Sequence, residues 1–96
     1  MPTVNDWQMD TINTEDLSAT DLRQECEVAD AAGDTGIHCY ELIRLDMYGS
    51  VVATAQMVYF ADYGRAGIAW GGDAQWTDCS SAEEAVRRWT EDDMSN

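Results

Sequence analysis

The stretch VVATAQMVYF, Val51 to Phe60, decides how this chain folds. Val51, Ala53, Ala55, Met57 and Tyr59 share one parity, and Val52, Thr54, Gln56, Val58 and Phe60 the other. Successive side chains of a strand point to opposite faces, and β-branched and aromatic residues suit a pleated surface, so the segment predicts a β-strand.

Its neighbours read the same way. Upstream, Ile37 to Asp46 mixes β-branched, aromatic and polar residues and runs into a Tyr48-Gly49-Ser50 turn. Downstream, Asp62-Tyr63-Gly64 leads to a short strand at Ala66–Trp70; Gly71-Gly72-Asp73 is a hairpin signal, and Gln75–Asp78 returns. Short connections favour sequential antiparallel partners over parallel crossovers. Residues 36–78 are therefore expected to form an antiparallel meander of three to four strands. The glycines between Gly64 and Gly72 read as turn residues rather than as a phosphate-binding loop.

Helices are expected on both sides. Residues 14–33 predict an acidic helix: Leu22, Cys26 and Ala29 recur at helical spacing, and Gly33 suits a left-handed cap. Ser18 or Thr20 is the candidate N-cap, with Asp21 three residues after Ser18 as in a capping box. Cys26 and Val28 also alternate, so residues 24–30 carry a strand reading beside the preferred helical one. Residues 80–92 predict a second helix, capped by Ser80 or Ser81, with an apolar stripe of Ala82, Ala85, Val86 and Trp89. That stripe should lie on the sheet, anchored by Trp89. Residues 1–13 read as an extended lead-in, in which Trp7 and Met9 alternate as in a short edge strand. The expectation is one α+β domain with both helices packed on the sheet.

Charge is the outlying property. Nineteen Asp and Glu stand against five Arg, with no Lys, for a formal net charge of −14. Residues 1–34 carry −8 of it, through Asp6, Asp10, Glu15, Asp16, Asp21, Glu25, Glu27, Asp30 and Asp34 against Arg23. Self-repulsion on this scale opposes compaction, and its sign disfavours direct contact with nucleic acid or an anionic membrane. No apolar run reaches the length of a membrane span, and the N-terminus lacks a signal-peptide pattern. A cytoplasmic location is expected, and three cysteines fit reduced thiols better than a disulfide framework.

The usual catalytic signatures are missing. There is one histidine, His38, and neither GxSxG, HExxH, a Walker loop nor GxGxxG occurs. His38, Cys39, Cys26 and Cys79 are the only zinc-like grouping, yet adjacent strand residues face opposite ways and the CxxC pairing is absent. No calcium-loop series is present. Neither an enzyme nor a metal or cofactor protein is expected.

Duplex DNA carries one charge per roughly 1.7 Å of axis, so fourteen charges match about 24 Å of duplex, comparable to the span of a domain this size. With its short α/β chain, acids clustered from Glu15 to Asp34 and again at Glu91–Asp93, and no catalytic motif, the sequence resembles the small acidic inhibitors encoded by phages, particularly anti-CRISPR proteins and related DNA mimics. The resemblance is one of general character and rests on no specific motif. It implies a stoichiometric inhibitor that occupies the Arg/Lys-lined nucleic-acid-binding groove of a CRISPR effector complex in the host cytoplasm and blocks target DNA. The expected contact residues are Glu15, Asp16, Asp21, Glu25, Glu27, Asp30, Asp34, Glu91, Asp92 and Asp93. Two other readings fit the composition: a halophilic-type acidic coat, and an adaptor or immunity-type protein that neutralises a basic partner.

Overall fold

The computed structural model of the chain describes residues 3–91, without the side chain at position 73. Six strands, β1 (Thr3–Val4), β2 (Trp7–Ile12), β3 (Ile37–Leu45), β4 (Val51–Phe60), β5 (Arg65–Trp70) and β6 (Asp73–Asp78), form one sheet in chain order. Every neighbouring pair is antiparallel. With helices α1 (Thr20–Ala31) and α2 (Ala82–Trp89), the architecture is α+β. The meander is as expected, but the strands number six rather than three to four.

The additional strands come from residues 1–13, which are not a loose lead-in over the described part. Asn5 and Asp6 hold positive φ, +48° and +74°, and turn β1 back on β2 with Val4 opposite Trp7. Asn and Asp are the non-glycine residues that best tolerate this conformation, and two such residues suit a tight hairpin. β2 then pairs along β3 from Trp7↔Arg44 to Ile12↔Cys39. Burial of Trp7 and Met9 fixes that register, because a one-residue slip would turn both out to solvent.

The predicted 14–33 helix is broken. A single 3-10 turn at Thr14–Asp16 is followed by an extended step through Leu17, and α1 begins only at Thr20. Leu17 explains the break: its side chain is buried among Leu22, Cys26, Val58 and Phe60. The N-cap is Ala19, with no side-chain cap, rather than Ser18 or Thr20. Gln56 of β4 serves that end instead, its Oε1 accepting from the N–H groups of Ser18 (2.8 Å) and Ala19 (3.2 Å). At the other end Gly33 adopts φ +88°, and the Asp34 N–H donates to the Ala29 carbonyl, the left-handed cap expected there. Residues 24–30 are helical, with Cys26 buried and Val28 exposed.

The two helices cover opposite faces of the sheet. On β4, Ala55 and Met57 join a core with Trp7, Leu42, Ile68 and the α2 stripe Ala82, Ala85, Val86 and Trp89. Val58 and Phe60, of the other parity, join the core beneath α1 with Leu22, Cys26, Ala29 and Cys39. Trp89 packs on Trp7 at 5.1 Å between ring centroids and on Trp70 at 5.8 Å, the anchoring role read from the stripe. Ser81 is the N-cap, its Oγ accepting from the Glu84 N–H at 3.1 Å. The α-helical part ends at Trp89 and runs into a π-type turn at Thr90 and Glu91; the last residue of the expected 80–92 helix lies outside the described residues. The β3–β4 hairpin is the longest in the sheet, and its turn is tied by Asp46 Oδ1, which accepts from the Tyr48 and Ser50 N–H groups.

Candidate acidic binding surface

Glu15 and Asp16 stand exposed on the 3-10 turn, Asp21 on the first turn of α1, and Glu27 and Asp30 farther along it. Glu25 is half-buried on the same helix, and Asp34 is half-buried just after it. Glu91 is exposed beyond α2, the helix on the opposite face of the sheet, so it does not share the α1 surface. Asp92 and Asp93 lie outside the described residues.

These acids divide into two flanks, because α1 buries Leu22, Cys26 and Ala29 along its middle. Glu15, Glu27 and Asp30 surround Arg23 in a shallow depression with Ile37, on the side nearer β3. On the other side, Glu25 borders a small apolar groove formed by Val28, Ala29, Phe60 and Tyr63, with Arg65 at its edge. Val28 and Tyr63 are both exposed, so this flank pairs a carboxylate with apolar surface. Asp21 stands one turn before Glu25, at the mouth of a larger cleft.

Little on the molecule neutralises this charge. Arg87 and Arg88 pair with Glu84 at 3.7 Å and 3.9 Å on α2, away from the acids of α1. Such exposed pairs contribute at most about 1 kcal/mol. The Glu84 carboxyl is held below its ordinary range, chiefly by the Ser80 N–H that donates to it; burial opposes this, and Arg88, the Ser80 hydroxyl and Arg87 add to the lowering. Arg65 is engaged elsewhere, its guanidinium 4.3 Å from the centre of the Trp76 ring.

Asp34 is set apart from the other acids. Its Oδ1 accepts from the Gly36 N–H at 2.8 Å, while its Oδ2 is buried without a hydrogen-bond partner. Asp62, in the β4–β5 turn, lies against the same loop and has its carboxyl raised, through hydrogen bonding to Asp34 and repulsion by it, with His38 acting in the opposite sense. Repulsion from Asp34 favours the protonated form of the Asp62 carboxyl. Asp34 therefore pins a loop, and is the least available of the predicted contacts.

The zinc-like grouping is dispersed. Cys26 and Cys39 lie in the core beneath α1, Cys79 in the core beneath α2, and His38 stacks on Tyr59 at 6.2 Å. Burial first, and the adjacent Cys39 second, push the Cys26 thiol up to about 12, far from the reactive thiolate range. No cluster of three or more metal-ligating side chains occurs among the described residues, nor does any helix there have the length and apolar character to cross a membrane.

Two structural groups were not legible as such. Gln56 binds Ser18, Ala19, the Asp16 carbonyl and Glu41 at once. Asp10 and Glu41, directly paired across β2 and β3, extend the acidic surface onto the sheet itself, although like charges opposite one another are unfavourable. Alternation sets Asp10 apart from Trp7 and Met9, but that Asp10 and Glu41 share a face depends on the pairing of β2 with β3. Comparison with known protein families, with curated proteins and with solved structures finds no match for this chain.

Proposed function

We propose that this protein is a non-catalytic, stoichiometric inhibitor that presents its acids to a basic nucleic-acid-binding groove, of the kind a CRISPR effector complex uses to hold target DNA. One observation carries the reading. Glu15 and Asp16 on the 3-10 turn and Asp21, Glu27 and Asp30 on α1 stand exposed, and none of the five forms an ion pair among the described residues. Such a field steers a basic partner from a distance and releases that partner's counterions on contact. The apolar groove beside Glu25 adds surface that a purely solvating coat does not require.

The test is a gel shift of target DNA by purified CRISPR effector complexes, with this protein added. Loss of the shifted band near one copy per complex, weakened by salt, is the expected result. Action at far lower ratios would mean catalysis, and no effect on any complex would reject the reading. The halophilic reading makes a separate forecast: the fold itself would melt at low salt.

A further inference from the structure

β4 is longer than its partner on one side. β5 pairs with it only from Phe60↔Arg65 to Gln56↔Ala69, and then turns away at Gly71-Gly72, leaving Val51–Ala55 running on past the end of β5. The direction of the main-chain groups there follows from the ladder. The Ala61 N–H donates to Gly36 on the β3 side, and the Phe60 carbonyl accepts from Tyr63 on the β5 side. Main-chain groups alternate sides along an antiparallel strand. Those of Phe60, Val58 and Gln56 thus face β5, and the next in that series, Thr54, face the open edge.

A cleft of about 450 Å³ opens at this point on the α1 face of the sheet. Asp21 and Glu41 line it with Thr54 and Gln56, and Gly72 closes it on the side of the β5–β6 turn. The carboxylates of Asp21 and Glu41 have no arginine among the lining residues. On the opposite face at the same end stands Trp70, 44% exposed and edge-on to Trp89. From Met47 to Phe60 the chain carries no charged residue, so no charge on this edge guards against strand pairing; the register with β3 shifts between Arg44 and Leu45, opposite Val51 to Ala53, and is regular from Ala53 onward.

We infer that the free edge of β4 at Val51–Ala55 accepts an extended segment of a basic partner protein as an added strand, with alternating basic and apolar side chains. The basic side chains reach Asp21 and Glu41 in the cleft, and the apolar ones reach Trp70 on the other face. About five residues of the segment would be paired, roughly 17 Å at 3.3 to 3.4 Å per residue. Main-chain hydrogen bonds supply the attachment and the side chains on each face the selectivity. The inference rests on the partner being basic, as proposed above, and adds where and in what conformation part of it is held.

The probe is a fluorescein-labelled octapeptide of alternating valine and arginine, titrated with the full chain and followed by fluorescence anisotropy. Saturation at one to one is expected, with affinity falling at least about tenfold in Thr54→Pro and in the Asp21→Asn/Glu41→Gln double variant. Proline on an edge removes the outward N–H without touching the β3 ladder. Should Thr54→Pro fail to fold, hydrogen exchange on the unaltered chain serves: the peptide should slow the Thr54 amide. Equal binding of octa-arginine, or no change at Thr54, overturns the inference. So does a dimer of the free chain that Thr54→Pro converts to monomer, since a second copy would then own the edge. If Thr54→Pro still blocks an effector complex in full, the edge site falls and the inhibitor reading stands. If the peptide binds at Thr54 but no complex is inhibited, the reverse holds.

Discussion

The indole of Trp76 lies flat across Gly67, so close that a Cβ at residue 67 would meet its ring carbons at 2.7 to 2.8 Å. The two residues face each other across β5 and β6, and the ring is stacked near-parallel with Phe60 on one side and carries Arg65 above it. Gly67 is thus a packing glycine within a strand, not one of the turn glycines around it. Gly67→Ala should destabilise the fold by about 1–3 kcal/mol, because the indole has to leave its stack. Chemical denaturation gives the magnitude. An unchanged midpoint would show that the ring can yield without loss.

Gln56 supports a second forecast. Its amide accepts from Ser18 and Ala19 and donates to the Asp16 carbonyl and to Glu41, tying the irregular 16–19 segment to β4. Gln56→Ala should cost about 1–2 kcal/mol, the worth of a few partly exposed hydrogen bonds. Gln56→Glu should cost more, since it loses both Nε2 donations and sets a carboxylate against Glu41. Amide exchange at Ser18 and Ala19 should quicken in both variants. Equal stability of the three proteins would mean that Leu17 alone holds the segment.

Gly67 and Gln56 also mark where sequence reasoning stopped. Period-two alternation at Val51–Phe60 and the stripe ending at Trp89 were legible, because each pattern reports a face that must be buried. The hairpin at Asn5-Asp6 was legible too but under-read: two residues tolerant of positive φ, between Val4 and the alternating Trp7 and Met9, are a turn signal. A cap supplied by Gln56 from another element was not legible, since it depends on a contact 38 residues away in the chain. The same holds for the acids. Their exposure on α1 followed from composition, whereas their division into two flanks depends on which side each strand lies.

Asp62 yields a pH dependence of definite sign. Its carboxyl is raised above the ordinary 3.8, chiefly by the hydrogen bond to Asp34 and by repulsion from it. An acid whose folded value is raised binds its proton more readily in the native state. Its stabilising contribution is full below 3.8 and fades as pH climbs through the raised value. Asp62→Asn removes the repulsion between this position and Asp34 at every pH. The variant should therefore melt higher than the native chain near neutral pH, and the gap should close toward about pH 4. Glu84 acts in the opposite sense, losing its contribution as pH falls, so Asp62→Asn is compared with the native chain rather than read from one curve. A gap that widens on acidification would show that Asp34 does not raise the Asp62 carboxyl.

The two flanks of α1 separate stability from binding. Glu27 and Asp30 on one side, and Glu25 on the other, form no ion pair among the described residues. Reversing all three to lysine should leave the melting temperature unchanged or raise it, since −14 becomes −8 and self-repulsion falls. Binding to a basic groove should respond oppositely. At about 0.5–1 kcal/mol per exposed charge contact, losing three attractions and gaining three repulsions weakens inhibition by roughly a hundredfold or more. Reversing only Glu27 and Asp30, or only Glu25 with Asp21, then shows which flank faces the groove. High salt should shrink the difference between native and reversed proteins, because exposed charges are screened within about 10 Å at 0.1 M salt. A triple reversal that still inhibits fully would place the interface away from α1, and one that unfolds would assign these acids a structural role.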